Sequence, residues 1–236
     1  MPGRLALYDD SSFRKDARVI FPNIKNKIRI LNPKYNIAPT HMIPVLLDTK
    51  IYTTAHFGLI PSWAKDKKSI NINARSETLF EKSSFRDSFK SRRCLIPING
   101  FYEWEKKEKV KIPYFIHPKD EGCFALAGLW DEWFDSSTGE TIIGIALITT
   151  EPNEAILKIH DRMPVILDKK DWTAWLDEKT KIDDLNRLLT PCSSEITMMR
   201  EVSSLVNSVS NNSKECIEKE CMKKYTKEIS IQRTLF

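Results

Sequence analysis

The chain has 236 residues, 41% of them hydrophobic and 29% charged, which allows one substantial core and excludes a wholly disordered or fibrous chain. Its 37 Lys and Arg against 32 Asp and Glu leave only +5, so a polyanion would have to be met by local clusters of cations and not by a global field. The five cysteines form no CxxC pair and have no accompanying histidine spacing, which argues against a disulfide framework or structural zinc and for a reduced, cytoplasmic compartment.

The first segment is MPGR. A compact second residue permits removal of Met1, after which Pro2 would present a secondary amine with a pKa near ~8, a good carbonyl nucleophile. Next come short runs rich in β-branched and aromatic residues. VLLD and IYTTAHF, about Asp48-Thr49-Lys50, read as a hairpin, and CLIPI, GFYEWEK, IPYFIH, CFALAGLW and TIIGIALITT read as further strands. The longest apolar runs, FALAGLW and IIGIALI, are far shorter than the ~20 residues of a membrane span.

Helices are expected between and after the strands. Thr150 can cap one running through Pro152 and Ile156 towards Ile159, and Asp168 one carrying Trp172, Trp175 and Leu176; Ile182, Leu185, Leu188 and Leu189 share a third helical face. The class is therefore α+β, a mixed, mostly antiparallel and barrel-like sheet with peripheral helices. From about Ser203 the chain turns polar, rich first in Ser and Asn and then in Lys. Residues 1–215 are expected to form the domain, and 216–236 a flexible tail.

Four stretches place polar residues where a plain core would not. NARSET offers Asn73, Arg75, Ser76 and Glu77. In INGFYEWE, alternation puts Glu103 on the face of Phe101, in partly apolar surroundings that would raise its pKa and suit it to acid–base work. A solvent-facing glutamate on a half-exposed strand satisfies the same pattern. In IHDRMPVIL, His160 follows a short helix and is either a proton carrier facing a cleft or a structural histidine. The fourth stretch is MPGR itself.

Together with YNIAPT, FGLIPSWAKD, FRDSFKSRRCLIPINGFYEW, FALAGLWDEW and ITTEPN, these motifs resemble, in order and over roughly residues 2–215, the SRAP family, the SOS-response-associated peptidase-like proteins that shield abasic sites in single-stranded DNA. The resemblance implies a barrel-like core with surrounding helices, a monomer, no cofactor and no metal. It implies an N-terminal cysteine, exposed by methionine removal, whose amine and thiol capture the aldehyde of an abasic site as a thiazolidine. Asn73 would orient the amino terminus and sugar, Glu103 would shuttle protons, and His160 would assist opening of the deoxyribose ring. Arg4, Arg75 and Arg162 fall where the family contacts phosphates, a role suited to guanidinium geometry. Trp63, Pro39 and the Met163-Pro164 pair resemble the apolar elements that press against or separate bases; each also fits ordinary packing.

The departure is at position 2, where Pro2 stands in place of the family's cysteine. No thiazolidine can close without a thiol on the residue that carries the amine. A secondary amine still adds to an aldehyde, giving an iminium ion that acidifies the sugar C2′ hydrogen and favours β-elimination of the 3′ phosphate. A member that only binds single-stranded DNA without covalent chemistry, and an engineered substitution that blocks crosslinking, remain open. A peptidase acting on other proteins would need a separate nucleophile arrangement that the sequence does not display. At the end of the tail, QRTLF resembles the pentapeptide with which bacterial repair proteins dock on the sliding clamp, with Gln232, Leu235 and Phe236 in the fixed places; a meaningless terminus is the alternative.

Overall fold

The computed structural model describes residues 2–108 and 110–219. In chain order it contains β1 (Leu5–Leu7), α1 (Ser11–Ile20), β2 (Lys25–Asn26), β3 (Lys34–Ile37), β4 (Met42–Leu46), β5 (Ile51–Phe57) and β6 (Asn73–Arg75). There follow α2 (Arg86–Ser91), β7 (Arg93–Ile98), β8 (Gly100–Lys107), β9 (Val110–Pro118), β10 (Phe124–Asp135) and β11 (Glu140–Thr150). The last elements are β12 (Met163–Pro164), α3 (Trp172–Leu176), α4 (Ile182–Arg187) and β13 (Thr197–Glu201). No helix among the described residues is long and apolar enough to cross a membrane.

The larger sheet runs β12-β11-β10-β7-β4-β5-β2, and β5 also pairs in parallel with β11, Gly144 opposite His56 and Ile145 opposite Phe57. That extra pairing closes β11-β10-β7-β4-β5 into a five-stranded barrel. The seam has room for backbone only. A side chain at Gly144 would run into the Gly58 carbonyl oxygen and come within 3.0 Å of Leu59 Cα, while Gly58 itself has φ +138, a conformation closed to most L-residues. A second sheet, β13-β9-β8-β1-β3, lies against the barrel.

Alternation along the barrel strands feeds two cores. Cys94, Ile96, Ile98, Leu126, Ile145 and Leu147 point to one, shared with Leu5, Leu7, Ile37, Phe101 and Ile116 of the second sheet. Leu95, Ala125, Ala127, Leu129, Ala146 and Ile148 point to the other, which Phe13 and Ala17 of α1, Phe89 of α2, Trp172 and Trp175 of α3 and Leu185 of α4 cover. Strands buried on both faces explain why CLIPI and FALAGLW read as continuous apolar runs.

The expected α+β class and the strands stand, and the helices differ. The segment from Thr150 does not form a helix. Strand β11 continues through Thr150, opposite Met163, and Thr150 Oγ1 donates to the Leu189 carbonyl at 3.0 Å. What remains is one 3-10 turn, Ile156–Lys158, whose start is held by Asn153 Oδ1 accepting the Ile156 N–H at 3.0 Å. Asp168 does precede the Trp172 helix, through a 3-10 turn at Lys169–Asp171, but its side chain makes no cap hydrogen bond. In α4, Leu185 is buried and Ile182 is exposed; Leu189, beyond its end, is buried too. Helices α1 and α2 lie among the strands, in segments for which the sequence names no helix.

Packing also runs beyond residue 215. Cys216 and Ile217 are buried with Ala6, Tyr102, Phe115, Val202 and Val206 on the outer face of the second sheet, so the folded part includes them.

Candidate functional site

Strand β8 leaves β1 after the Leu5–Phe101 and Ala6–Gly100 pairs, and the Tyr102 N–H to Arg4 carbonyl hydrogen bond of 2.9 Å holds the chain just ahead of β1 against it. The amino-terminal segment therefore lies along β8 where Glu103 follows. Beside it, β6 pairs in parallel with β11, Asn73 opposite Leu147. That register lets Asn73 Nδ2 donate to the carbonyl oxygen of buried Pro2 at 3.1 Å. Asn73 Oδ1 is buried with no hydrogen-bond partner among the described residues, an acceptor already desolvated and aimed at this region.

Glu103 is only 4% exposed. It does share the inward face of Phe101. Burial pushes its carboxyl up to about 7; the positive amino terminus pulls the other way, and Asp161 adds to the rise. A carboxyl group balanced between its two forms at neutrality both gives and takes a proton. His160 Nε2 stands 3.7 Å from Glu103 Oε2, an ion-pair separation that is too long for a direct hydrogen bond. Burial, with the amino-terminal charge, lowers the imidazole pKa, which keeps the ring neutral at pH 7. Its Nδ1 accepts the Arg162 N–H at 3.0 Å and lies 3.0 Å from the exposed carboxylate of Asp161. Glu103 and His160 share the wall of a cavity of about 330 Å³ with Trp104, Lys106, Lys111 and Asn207.

The expected phosphate contacts separate. Arg162 is held inside the protein: its guanidinium makes a bidentate pair with Glu77, 2.6 and 2.9 Å, and donates to the Thr149 carbonyl at 2.6 Å. That pair also holds the Glu77 carboxyl below its usual range. Arg4 donates to Asn36 Oδ1 and to the Val206 carbonyl, both at 2.7 Å, with its guanidinium 5.9 Å from the Trp104 ring centroid. Arg75, on β6, is exposed.

The apolar contacts separate too. Trp63 is 59% exposed, on a loop tied down by the Ser62 N–H to Asp131 bond of 2.9 Å and the Trp133 indole to Ala64 carbonyl bond of 2.7 Å. Pro39 is half-buried. Met163 and Pro164 are both buried in β12, paired with Thr150 and Thr149 of β11. Gln232, Leu235 and Phe236 lie outside the described residues.

Sequence reasoning passed over Glu77 as a partner of Arg162, and Lys106, Lys111 and Asn207 as cavity walls. Glu77 stood within a quoted motif, but no local pattern links it to a residue 85 positions away. A larger cavity of about 700 Å³, lined in part by Phe13, Cys123 and Trp172, contains none of the expected site residues.

The sequence model of the SOS response associated peptidase (SRAP) family matches residues 1–209. The chain is 44% identical over 194 residues to the abasic site processing protein YoqW of Bacillus subtilis, covering 79% of this chain and 86% of that protein. It is 41% identical over 230 residues to the abasic site processing protein YoaM of the same organism, covering 93% and 99%. The abasic site processing protein HMCES of Xenopus tropicalis is 32% identical over 221 residues, 78% of this chain and 65% of that protein. Among solved structures, a Bacteroides thetaiotaomicron protein superposes with a TM-score of 0.82 at 27% identity, covering 92% of this chain and 99% of that one.

Proposed function

The chain belongs to the SRAP family, and from that premise we propose that it processes abasic sites in single-stranded DNA through its amino-terminal amine. The observation that carries the reading is that the amino-terminal charge acts on both Glu103 and His160, while Asn73 holds Pro2 just beyond it. Asn73 ties down the Pro2 carbonyl at 3.1 Å, and Glu103 and His160, 3.7 Å apart, line one cavity. Removal of Met1 frees the Pro2 nitrogen. That nitrogen adds to the C1′ aldehyde of the ring-opened sugar, and the carbinolamine loses its hydroxyl as water, protonated by Glu103 in its acid form, to leave an iminium ion. His160, whose burial favours the neutral imidazole, supports ring opening by donating a ring N–H to the sugar oxygen. With no nitrogen proton to lose, the iminium either hydrolyses back to aldehyde and amine or, once a base removes a C2′ proton, expels the 3′ phosphate. The product is a reversible adduct or a cut strand, in place of the permanent thiazolidine that a cysteine would form.

The test is intact mass of methionine-free protein incubated with an abasic single-stranded oligonucleotide and borohydride. We expect a reduced adduct that maps to Pro2 and is slowed at least ~100-fold in Glu103→Gln. Failure of the native protein to form any adduct overturns the covalent reading. The absent thiol favours one competing reading, a noncovalent single-strand-binding adaptor held at the sliding clamp by residues 232–236. It predicts salt-dependent affinity that is indifferent to an abasic site, and clamp binding that is lost when those five residues are deleted.

A further inference from the structure

The β8–β9 hairpin carries a pairing that works against its own stability. Its register sets Lys106 directly opposite Lys111. Side chains opposed in an antiparallel pair leave the sheet from Cβ atoms about 5 Å apart, and like charges there repel. Neither lysine makes an ion pair among the described residues; Glu105, on the same hairpin, is engaged by Lys107 at 3.1 Å and by the Tyr114 hydroxyl at 3.1 Å. Both lysines are exposed and both line the cavity that holds Glu103 and His160. Arg4, 5.9 Å from the ring centroid of Trp104, adds positive charge near that wall. Two of the three arginines expected to meet phosphates are occupied within the protein, Arg162 by Glu77 and Arg4 by Asn36, which leaves the mouth of this cavity dependent on other cations.

We propose that Lys106 and Lys111 together hold one phosphodiester phosphate directly flanking the abasic sugar, so that the β8–β9 hairpin sets where along the strand the cavity engages. The inference rests on the reading that an abasic sugar occupies this cavity. A phosphate between the two ammonium groups turns a repulsive cross-strand pair into a two-donor anion site. The cavity, about 330 Å³, lies at the lower limit of ligand pockets and suits one sugar with one phosphate, not a stacked run of nucleotides.

The test uses full-length protein and oligonucleotides with a tetrahydrofuran abasic analogue, which has no aldehyde, so binding is read apart from covalent chemistry. One oligonucleotide is unmodified; two others carry a neutral methylphosphonate on the 5′ or the 3′ side of the analogue. We expect the native protein to lose about tenfold in affinity with one methylphosphonate and little with the other. A Lys106→Gln/Lys111→Gln variant should bind the unmodified oligonucleotide about tenfold more weakly, lose no more with either methylphosphonate, and show a log–log salt slope shallower by about 0.7, the value for one single-strand phosphate. The variant should melt no lower than the native protein. Equal methylphosphonate losses in both proteins, or an unchanged salt slope, would overturn the lysine phosphate site, and a lower melting temperature would overturn the claim that the pair strains the fold. A failure of borohydride trapping, by contrast, bears on the covalent reading and leaves these binding measurements intact.

Discussion

Folding holds Glu103 against its own ionisation, and that makes it a group whose pH dependence can be worked out in sign. Burial lifts its pKa from 4.5 to about 7. Below the lower value the carboxyl is neutral in both the folded and unfolded chain. Between the two values the unfolded chain ionises first, so the native state loses stability as pH rises, by roughly 3 kcal/mol across the window, and levels off above it. Glu103→Gln, uncharged at every pH, should abolish that slope: more stable than the parent by about 3 kcal/mol near pH 7.5 and equal to it near pH 4, in denaturant titrations across this range. A parent whose stability stays flat over the window would mean that the carboxylate is solvated after all. Strand alternation offered the burial of this residue as one of two readings, and the fold decides between them, because Phe101 and Glu103 are both buried in β8. Arg162 was not legible in the same way. Its sequence offered a cation for phosphate, and only the fold brings Glu77 and the Thr149 carbonyl to occupy it.

At the level of elements, the barrel depends on a seam that no local pattern announces. The hairpin partners β4–β5 and β10–β11 are near neighbours in the chain and read directly from their β-branched runs; the parallel contact of β5 with β11 joins residues 56 and 144 and needs the close backbone approach at Gly58 and Gly144. Gly144→Ala should therefore cost about 1–3 kcal/mol, because its methyl group has only backbone to displace, and lower the melting temperature accordingly. Gly3→Ala, whose new methyl would meet Ile72 Cδ1 at an ordinary 3.8 Å, is the control and should melt with the parent. The helices were misread for a related reason. Thr149 and Thr150 look like the end of a strand and the cap of a helix; the strand wins because β12 supplies partners for both. Helix α1 escaped notice although Phe13 and Ala17 stand one turn apart, since ten residues between strands leave little periodicity to detect, and Asp10 ahead of it spends its carboxylate on Tyr52 and Arg14 instead of capping.

For the whole molecule, the boundary of the fold is decided by a few apolar residues in a polar stretch. Composition changes at Ser203 and suggests a tail, yet Val206, Cys216 and Ile217 return to the outer face of the second sheet and pack on Tyr102 and Phe115. The backbone confirms the attachment: the Ser203 N–H donates to the Glu218 carbonyl at 2.9 Å, and Arg200 Nε to the Ile217 carbonyl at 3.0 Å. The same segment bears on the site, because Val206 receives the Arg4 guanidinium and Asn207 the Trp104 indole, both beside the cavity of Glu103. Three apolar side chains spread without periodicity give a sequence reader no element to name, which is why the edge was expected at residue 215. Two truncations separate the possibilities. Ending the chain after residue 219 should leave the melting temperature of the domain unchanged, since every buried contact described for this segment is retained. Ending it after residue 215 removes the burial of Ile217 and Cys216, costing about 3 kcal/mol. For a domain of this size that lowers melting by about 6–12 °C. The shorter chain should also bind abasic single strands more weakly than the longer one, because loosening this segment frees Arg4 and Trp104 from the partners that fix the cavity wall; equal melting of the two would place the edge of the fold before Cys216.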